Sequence, residues 1–195
     1  MVRVSSKDKI IDAAMRCFRS EGYLATSVDE IIAEAGVSKG SFYHAFKSKE
    51  MLGLETIEHY LQHVTQVLRQ GPHQHIKDPW ERVIAYVEHT EAKAAELWCQ
   101  GCMMGSFSID LAHSHPAVRA KLKSLFQAMT EEVARLFEPA LAQLDHCQLN
   151  ASDLANQYIS QVQGAIVLGQ AHGDVAVTQQ CIRSFRHYLQ QLKGE

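Results

Sequence analysis

The sequence predicts an all-α protein of about nine helices, and three observations predict it. Apolar residues recur at intervals of three and four through nearly the whole 195-residue chain, the spacing of one helix face. Start signals such as Ser27 with Glu30, or Asp78-Pro79 with Glu81, stand before these stripes, and Gly or Pro follows most of them. Apolar residues make up 46% and charged residues 21%, so the chain can bury a substantial core and lacks the composition of a disordered one.

In chain order, Ser5 or Ser6 starts the first helix. Ile10, Ile11, Ala14, Met15 and Phe18 form its apolar stripe, Arg16 and Arg19 are expected in water, and Gly22 ends it near Tyr23. Ser27 and Glu30 have capping-box spacing and open a second helix. Its residues Val28, Ile31, Ile32 and Ala35 repeat at helical spacing, and Gly36 supplies a left-handed stop. Ser38 caps a third helix, Lys39 to about Phe46, in which Phe42 and Phe46 lie one turn apart and face inward. Lys39, Ser41, Tyr43 and His44 are left on its outside. Two short helices joined by a Gly-containing turn, the second with a polar outer face, make a helix-turn-helix, and the first helix packs across them.

Ser48 caps a fourth helix with Glu50 in its first turn, and Leu54, Ile57, Leu61, Val64 and Leu68 form its seam. This helix runs to Gly71-Pro72, roughly 30 Å away by helix rise, and can couple two regions mechanically. Residues 71–77, GPHQHIK, are the most linker-like stretch. Asp78-Pro79-Trp80-Glu81 restarts helix, with Trp80, Val83, Ile84, Val87, Ala94 and Leu97 on its buried side. GCMMG at 101–105 opens a short apolar helix, and His115-Pro116 starts the next. Val118, Leu122, Leu125, Met129, Val133, Leu136 and Leu141 stripe that helix, with Pro139 expected to bend or end it. Asn150 to Asp153 caps an eighth helix, whose Gly164, Ala165 and Gly169 permit close helix approach. Gly173-Asp174 then leads into a last helix striped by Cys181, Ile182, Phe185, Leu189 and Leu192.

Net charge is -3, divided unevenly: residues 1–50 carry eight Lys and Arg against seven Asp and Glu, and the rest carry eleven against fifteen. The basic end is the one with the helix-turn-helix. The start has no apolar leader and no run is long enough to span a bilayer, so a cytoplasmic protein is expected. Cys17, Cys99, Cys102, Cys147 and Cys181 form no dense, even framework, and reduced thiols are expected.

The stretch KDKIIDAAMRCFRSEGYLATSVDEIIAEAGVSKGSFYHAFKSKEML, Lys7 to Leu52, resembles the N-terminal domain of TetR-family transcriptional regulators. Residues 53–195 match in architecture but carry no motif of comparable specificity. The resemblance implies residues 1–50 as a three-helix DNA-binding domain and 51–195 as a helical ligand-binding and dimerisation domain. It implies a homodimeric repressor joined through its last two helices, binding a palindromic double-stranded DNA operator and released by a small-molecule inducer. It puts Thr26 and Ser27 at the backbone-contacting start of the second helix, Ser38, Lys39, Gly40, Ser41, Tyr43 and His44 in the major groove, and Lys49 on a phosphate. Hydroxyls, helix amides and Lys suit phosphate, Lys39 and Ser41 can reach base edges, and Gly40 admits close backbone approach.

In the second half, Trp98, Met103, Met104 and Phe107 can line an apolar inducer pocket, with Tyr60, His63, Tyr86 and His89 as polar points; the same residues also serve as plain core. Cys102 precedes a helix, where the N-terminal dipole favours a thiolate. Its surroundings resemble the branch of the family that senses electrophiles or oxidants through a Cys at this place. The other reading of Cys102 is a buried, inert thiol. Cys99 and Cys102 lack the strand-loop-helix setting of a redox pair and the second pair of a zinc site. His59 and His63, one turn apart, leave a metal-responsive regulator as an alternative, and a cysteine/histidine enzyme as a weaker one. There is no Ser-His-Asp ordering, phosphate loop or metal-ligand set, so neither a catalytic site nor a cofactor is expected.

Overall fold

The computed structural model describes residues 5–144 and 149–194, so Cys147 lies outside the described residues. Nine α-helices are present among them: α1 Ser6–Ser20, α2 Val28–Ala35, α3 Lys39–Ala45, α4 Lys49–Arg69, α5 Pro79–Trp98, α6 Met103–Leu111, α7 Pro116–Leu141, α8 Ala151–His172 and α9 Val175–Lys193. A 3₁₀ turn, Pro72–His75, occupies the stretch read as a linker. The chain divides into two compact units. One takes the residues up to His63 together with Cys102–Lys123; the other takes Val64–Gly101 and the residues from Ser124 on.

The start signals act as their chemistry dictates. Ser5 and Asp8 form a capping box on α1, Ser27 and Glu30 form one on α2, and Asp78 accepts from the Glu81 amide at the head of α5. Gly36 sits at φ 61° in the left-handed region, where it stops α2 and turns the chain into α3. Pro139 falls in the last turn of α7, which ends two residues later at Leu141.

In the first unit α1 packs across α2 and α3. Ile10, Ala13, Ala14 and Phe18 of α1 meet a core that includes Ile31, Phe42 and Phe46, all buried. Arg19 departs from expectation: its guanidinium lies 5.8 Å from the centroid of the Tyr60 ring and is half-buried, not in water. The buried face of α4 is also rotated from the one read from sequence. Leu52, Gly53, Thr56, Ile57, Tyr60 and Val64 are inside, while Leu54 and Leu61 are half-buried. Thr56 enters this face because its hydroxyl donates to the Leu52 carbonyl at 2.7 Å, which satisfies the polar group within the helix.

In the second unit α9 packs against both α5 and α8. Phe137, Tyr158 and Phe185 form its aromatic centre, with Tyr158 5.8 Å from Phe137 and 5.1 Å from Phe185 between ring centroids. Phe137 is fully buried, although the sequence stripe of α7 passed through Leu136 instead. Arg183 and Arg186 of α9 bridge to Glu91 and Glu88 of α5 at 2.7 and 2.8 Å, and Arg69 meets Glu132 at 2.6 Å.

The small residues of α8 divide between two faces. A Cβ on Gly169 would stand 2.1 Å from Thr178 Oγ1 of α9, whereas one on Gly164 meets open space. Thr178 is buried and its hydroxyl donates to the Ala165 carbonyl at 3.1 Å, so it has no room to give. Gly169→Ala is therefore expected to cost about 1–3 kcal/mol through overpacking, read as a lower urea midpoint with an unchanged slope.

His73, in the stretch read as the most linker-like, is buried. Its ring packs edge-on to Tyr86 at 5.1 Å and lies 6.3 Å from the His89 ring, over Gly71. A Cβ on Gly71 would stand 2.5 Å from His73 Nδ1, which explains the glycine. Burial, then the nearby His89 and Arg82, hold the His73 imidazole below the ordinary histidine range. The unfolded chain then takes up a proton near pH 6.5 that the folded chain refuses. Stability is expected to be fully present above that pH and to fall as pH drops through it towards the lower native value. Unfolding of wild type and His73→Gln across pH 5–7.5 checks this, the variant giving a flatter profile.

Candidate nucleic-acid interface

The outer face of α3 is shaped by its inner face. Phe42 and Phe46 are fully buried, and one helical turn carries Lys39, Gly40, Tyr43 and His44 to the exposed side, with Ser41 half-buried beside them. Ser38 is the N-cap: its hydroxyl accepts from the Ser41 amide at 3.1 Å and lies 2.9 Å from the Ser41 hydroxyl. A Cβ on Gly40 would find only Ser38 Oγ, at 3.8 Å, so the helix surface there is open to another backbone. The Tyr43 ring rests edge-on against Phe42 at 5.2 Å and remains 45% exposed. Its ring contact is thus with its own helix. His44, Gly40 and Ser41 border an open groove whose other wall is Ser6 and Lys7 at the start of α1.

At the head of α2 the two hydroxyls differ. Ser27 is exposed, and the capping box engages it through the Glu30 amide at 3.2 Å. Thr26 is buried, and its hydroxyl donates to the carbonyls of Gly22 at 2.8 Å and Cys17 at 3.3 Å. Thr26 thus ties the α1–α2 loop together, and Ser27 is the hydroxyl presented to solvent.

Two cations expected at the interface are held within the head. Lys39 Nζ lies 3.1 Å from Asp29 Oδ1 of α2, with both side chains exposed. Lys49 donates to the Tyr23 carbonyl, and its ammonium stands 4.2 Å from the centroid of the Tyr23 ring. Partial burial moves the Lys49 ammonium below the usual lysine range, opposed by the charge of Glu30. Asp29 and Tyr23 are the two residues here that sequence reasoning missed. Asp29 and Lys39 stand ten apart across a turn, a separation that no periodic pattern pairs, and Tyr23 offered only its place after Gly22.

Tyr23 belongs to an aromatic cluster in the same unit. Its ring lies 5.1 Å from Phe18, 5.1 Å from Phe107 and 6.3 Å from His115. Gly53 of α4 leaves space for it, since a Cβ there would meet Tyr23 at 3.0 Å and Phe107 at 3.5 Å.

The pocket and sensor candidates do not fall in one unit. Tyr60, Cys102, Met103, Met104 and Phe107 belong to the first and are buried, Phe107 by packing on Phe18 and Tyr23. Trp98, Tyr86 and His89 belong to the second. Trp98 is buried there, the Tyr86 ring lies 5.9 Å from that of Tyr158, and His89 Nε2 sits 3.0 Å from the Val67 carbonyl. Burial pushes the phenols of Tyr86 and Tyr158 above the ordinary tyrosine range, so both stay protonated. His59 and His63 are exposed on α4, which removes His63 from the buried lining. The reason is the rotated seam: the turn that buries Tyr60 and Val64 turns His63 outward.

Cys102 is the N-cap residue of α6, and its carbonyl accepts from the Ser106 amide at 3.0 Å. It is 6% exposed, so an external reagent reaches its thiol only when the segment opens. Cys17, Cys99 and Cys181 carry free thiols, and of these Cys99 is exposed. Among the described residues no group of three or more His, Cys, Asp or Glu comes together in a way that can hold a metal ion, and no helix is long and apolar enough to cross a membrane.

Comparison with known proteins agrees with this architecture. The family model for bacterial regulatory proteins of the tetR family matches residues 10–56, and that for the tetracyclin repressor-like C-terminal domain matches residues 79–185. The transcriptional regulator AcuR of Cereibacter sphaeroides is 30% identical over 134 residues, covering 68% of this chain and 61% of its own. The HTH-type transcriptional repressor NemR of Escherichia coli is 28% identical over 133 residues, covering 65% of this chain and 63% of its own. The matches thus span less than two thirds of those two relatives. Among solved structures, a TetR regulatory protein from Rhodobacter sphaeroides superposes with a TM-score of 0.81 at 26% identity, covering 93% of this chain and 97% of that one. With both halves of the chain matched, the helix-turn-helix head by one model and the helical remainder by the other, the protein belongs to the TetR family of transcriptional regulators and is not an enzyme.

Proposed function

We propose that the protein is a cytoplasmic repressor that binds a palindromic double-stranded DNA operator as a homodimer and is released by a small molecule or by modification of Cys102. The observation that carries the DNA part is the two-sided α3: Phe42 and Phe46 wholly inside, Lys39, Gly40, Tyr43 and His44 outside. On this reading residues 1–50 form the DNA-binding domain and 51–195 the ligand-binding and dimerisation domain. The recognition helices of the two copies stand about 34–36 Å apart, so that both enter the major groove on one side of the duplex. Ser38 to His44 lie in the groove, Lys39 and Ser41 reading base edges. Ser27 and Lys49 meet phosphates, with Thr26 supporting that end of α2 from within.

Dimerisation through α8 and α9 is supported by the outward face of α8. Val167 and Leu168 are 56% and 48% exposed, and Gly164 on the same helix faces open space. An apolar strip with a glycine that admits close approach suits a second copy of the same helix.

Release is a population shift, in which an inducer favours a conformer whose heads misfit the operator. Within the first unit the aromatic cluster gives a physical route. Phe107 of α6 packs on Tyr23, and Tyr23 holds Lys49 by its carbonyl and its ring. A shift of α6, begun by a ligand or a bulky adduct on Cys102 at its N-cap, alters that packing and the freedom of the Lys49 ammonium. Helix α4, which starts at Lys49, carries the change along the chain.

Two expected outcomes follow. With duplexes recovered by selection from a random pool, which should contain inverted repeats, Lys49→Ala weakens binding to all sequences and lowers the log–log salt slope by about one. An unchanged slope would remove Lys49 from the phosphate contacts. Treatment with N-ethylmaleimide lowers operator affinity of the wild type, slowly because the thiol is buried, and leaves Cys102→Ser unaffected. Full affinity in a wild type shown by mass spectrometry to be alkylated at Cys102 would refute the thiol route.

A further inference from the structure

The cation that heads α3 is already engaged inside the head. Lys39 Nζ lies 3.1 Å from Asp29 Oδ1, and the side chains are 64% and 77% exposed. Asp29 is the second residue of α2 and Lys39 the first of α3, so the pair bridges the turn at Gly36. The hydrogen bond to Asp29, then its charge, moves the Lys39 ammonium above the ordinary lysine range. The fold does not need this pair: an ion pair so exposed gains little against solvent screening, and the α2 cap is made by Ser27 and Glu30.

A free lysine at this place has a flexible four-carbon stem and three donors, and on DNA its cheapest partner is whichever phosphate is nearest. A phosphate contact adds affinity for every sequence and discriminates none. The Asp29 carboxylate opposes that outcome twice, by keeping one donor of the ammonium on itself and by repelling a phosphate that comes close. The ammonium has three donors and only one is needed for Asp29, and in the major groove a guanine edge offers two acceptors to the others.

We propose that Asp29 is a specificity-determining residue that positions Lys39: it holds the ammonium at the head of α3 for a base edge and withholds it from the phosphate backbone. Specificity of this kind is built as much from penalties on the wrong complex as from contacts in the right one. The inference rests on the reading that the outer face of α3 enters the major groove, and its test separates the two.

The full-length chain is compared as wild type, Asp29→Asn, Lys39→Ala and the double variant, on duplexes recovered from a random pool and on scrambled duplexes, over a series of salt concentrations. Asp29 and Lys39 are both exposed, so all four proteins should unfold at nearly the same temperature. Asp29→Asn should bind scrambled DNA more tightly, with a salt slope steeper by about one, as one more phosphate is neutralised. It should also weaken preference about five- to tenfold at one base pair, the same one that Lys39→Ala affects. In the Lys39→Ala background it should add nothing at that base pair, because Asp29 acts through Lys39. If Lys39→Ala shifts a base preference and Asp29→Asn leaves it intact, the inference falls and the α3 reading stands. If Asp29→Asn has its full effect without Lys39, Asp29 touches the DNA itself and the inference falls. If Lys39→Ala alters no base preference, the inference falls together with the base-reading role of Lys39.

Discussion

Helix α3 is seven residues long, well below the length at which a helix holds itself in water, so its place and orientation depend on the burial of Phe42 and Phe46. Each ring contributes about 1.5–3 kcal/mol when removed from water, which offsets a large part of the cost of ordering so short a segment. The two rings lie 6.1 Å apart, and the Lys7 ammonium covers Phe46 at 5.6 Å. Everything the outer face offers follows from this anchoring. Lys39, Tyr43 and His44 point outward because Phe42 and Phe46 cannot.

The same unit contains a second anchor with a different use. Tyr23 is nearly buried, yet its carbonyl and the face of its ring together hold the ammonium of Lys49. Aromatic rings favour a cation on their faces and other ring edges around them, and Tyr23 has both, with Phe18, Phe107 and His115 as neighbours. Because Phe107 comes from α6, a segment distant in the chain shares its packing with the residue that holds Lys49. A packed cluster of this kind transmits displacement because it has little room to absorb it.

The second unit is built on close approach. Gly169 lets α9 bring Thr178 against α8, and Gly71 lets His73 and His89 close over the turn before α5. Both places bury polar groups in tight surroundings. Thr178 satisfies its hydroxyl on a backbone carbonyl, while His73 avoids burying a charge by keeping its ring neutral, although its Nδ1 has no hydrogen-bond partner among the described residues. These contacts, with the Tyr158 and Phe185 centre and the arginine bridges from α9 to α5, make the part of the chain that carries no short motif.

The helices, their caps and the two-sided α3 were legible in the sequence because they are local: Ser27 with Glu30, Gly36 and the Phe42–Phe46 spacing act within one or two turns. Family membership was legible for the same reason, since Lys7 to Leu52 is a continuous run of such signals. Rotation of the α4 seam and the placing of Phe137 in place of Leu136 were not, because several faces of an amphipathic helix satisfy periodicity almost equally and only the neighbours choose between them; nor was the burial of His73 and Thr26, which stand in a turn and a loop where no periodicity applies. Tertiary structure alone decided the partners of the charged groups. Asp29 meets Lys39, and Tyr23 meets Lys49, through contacts that span ten and twenty-six residues, and pairing at that range depends on where whole helices come to rest.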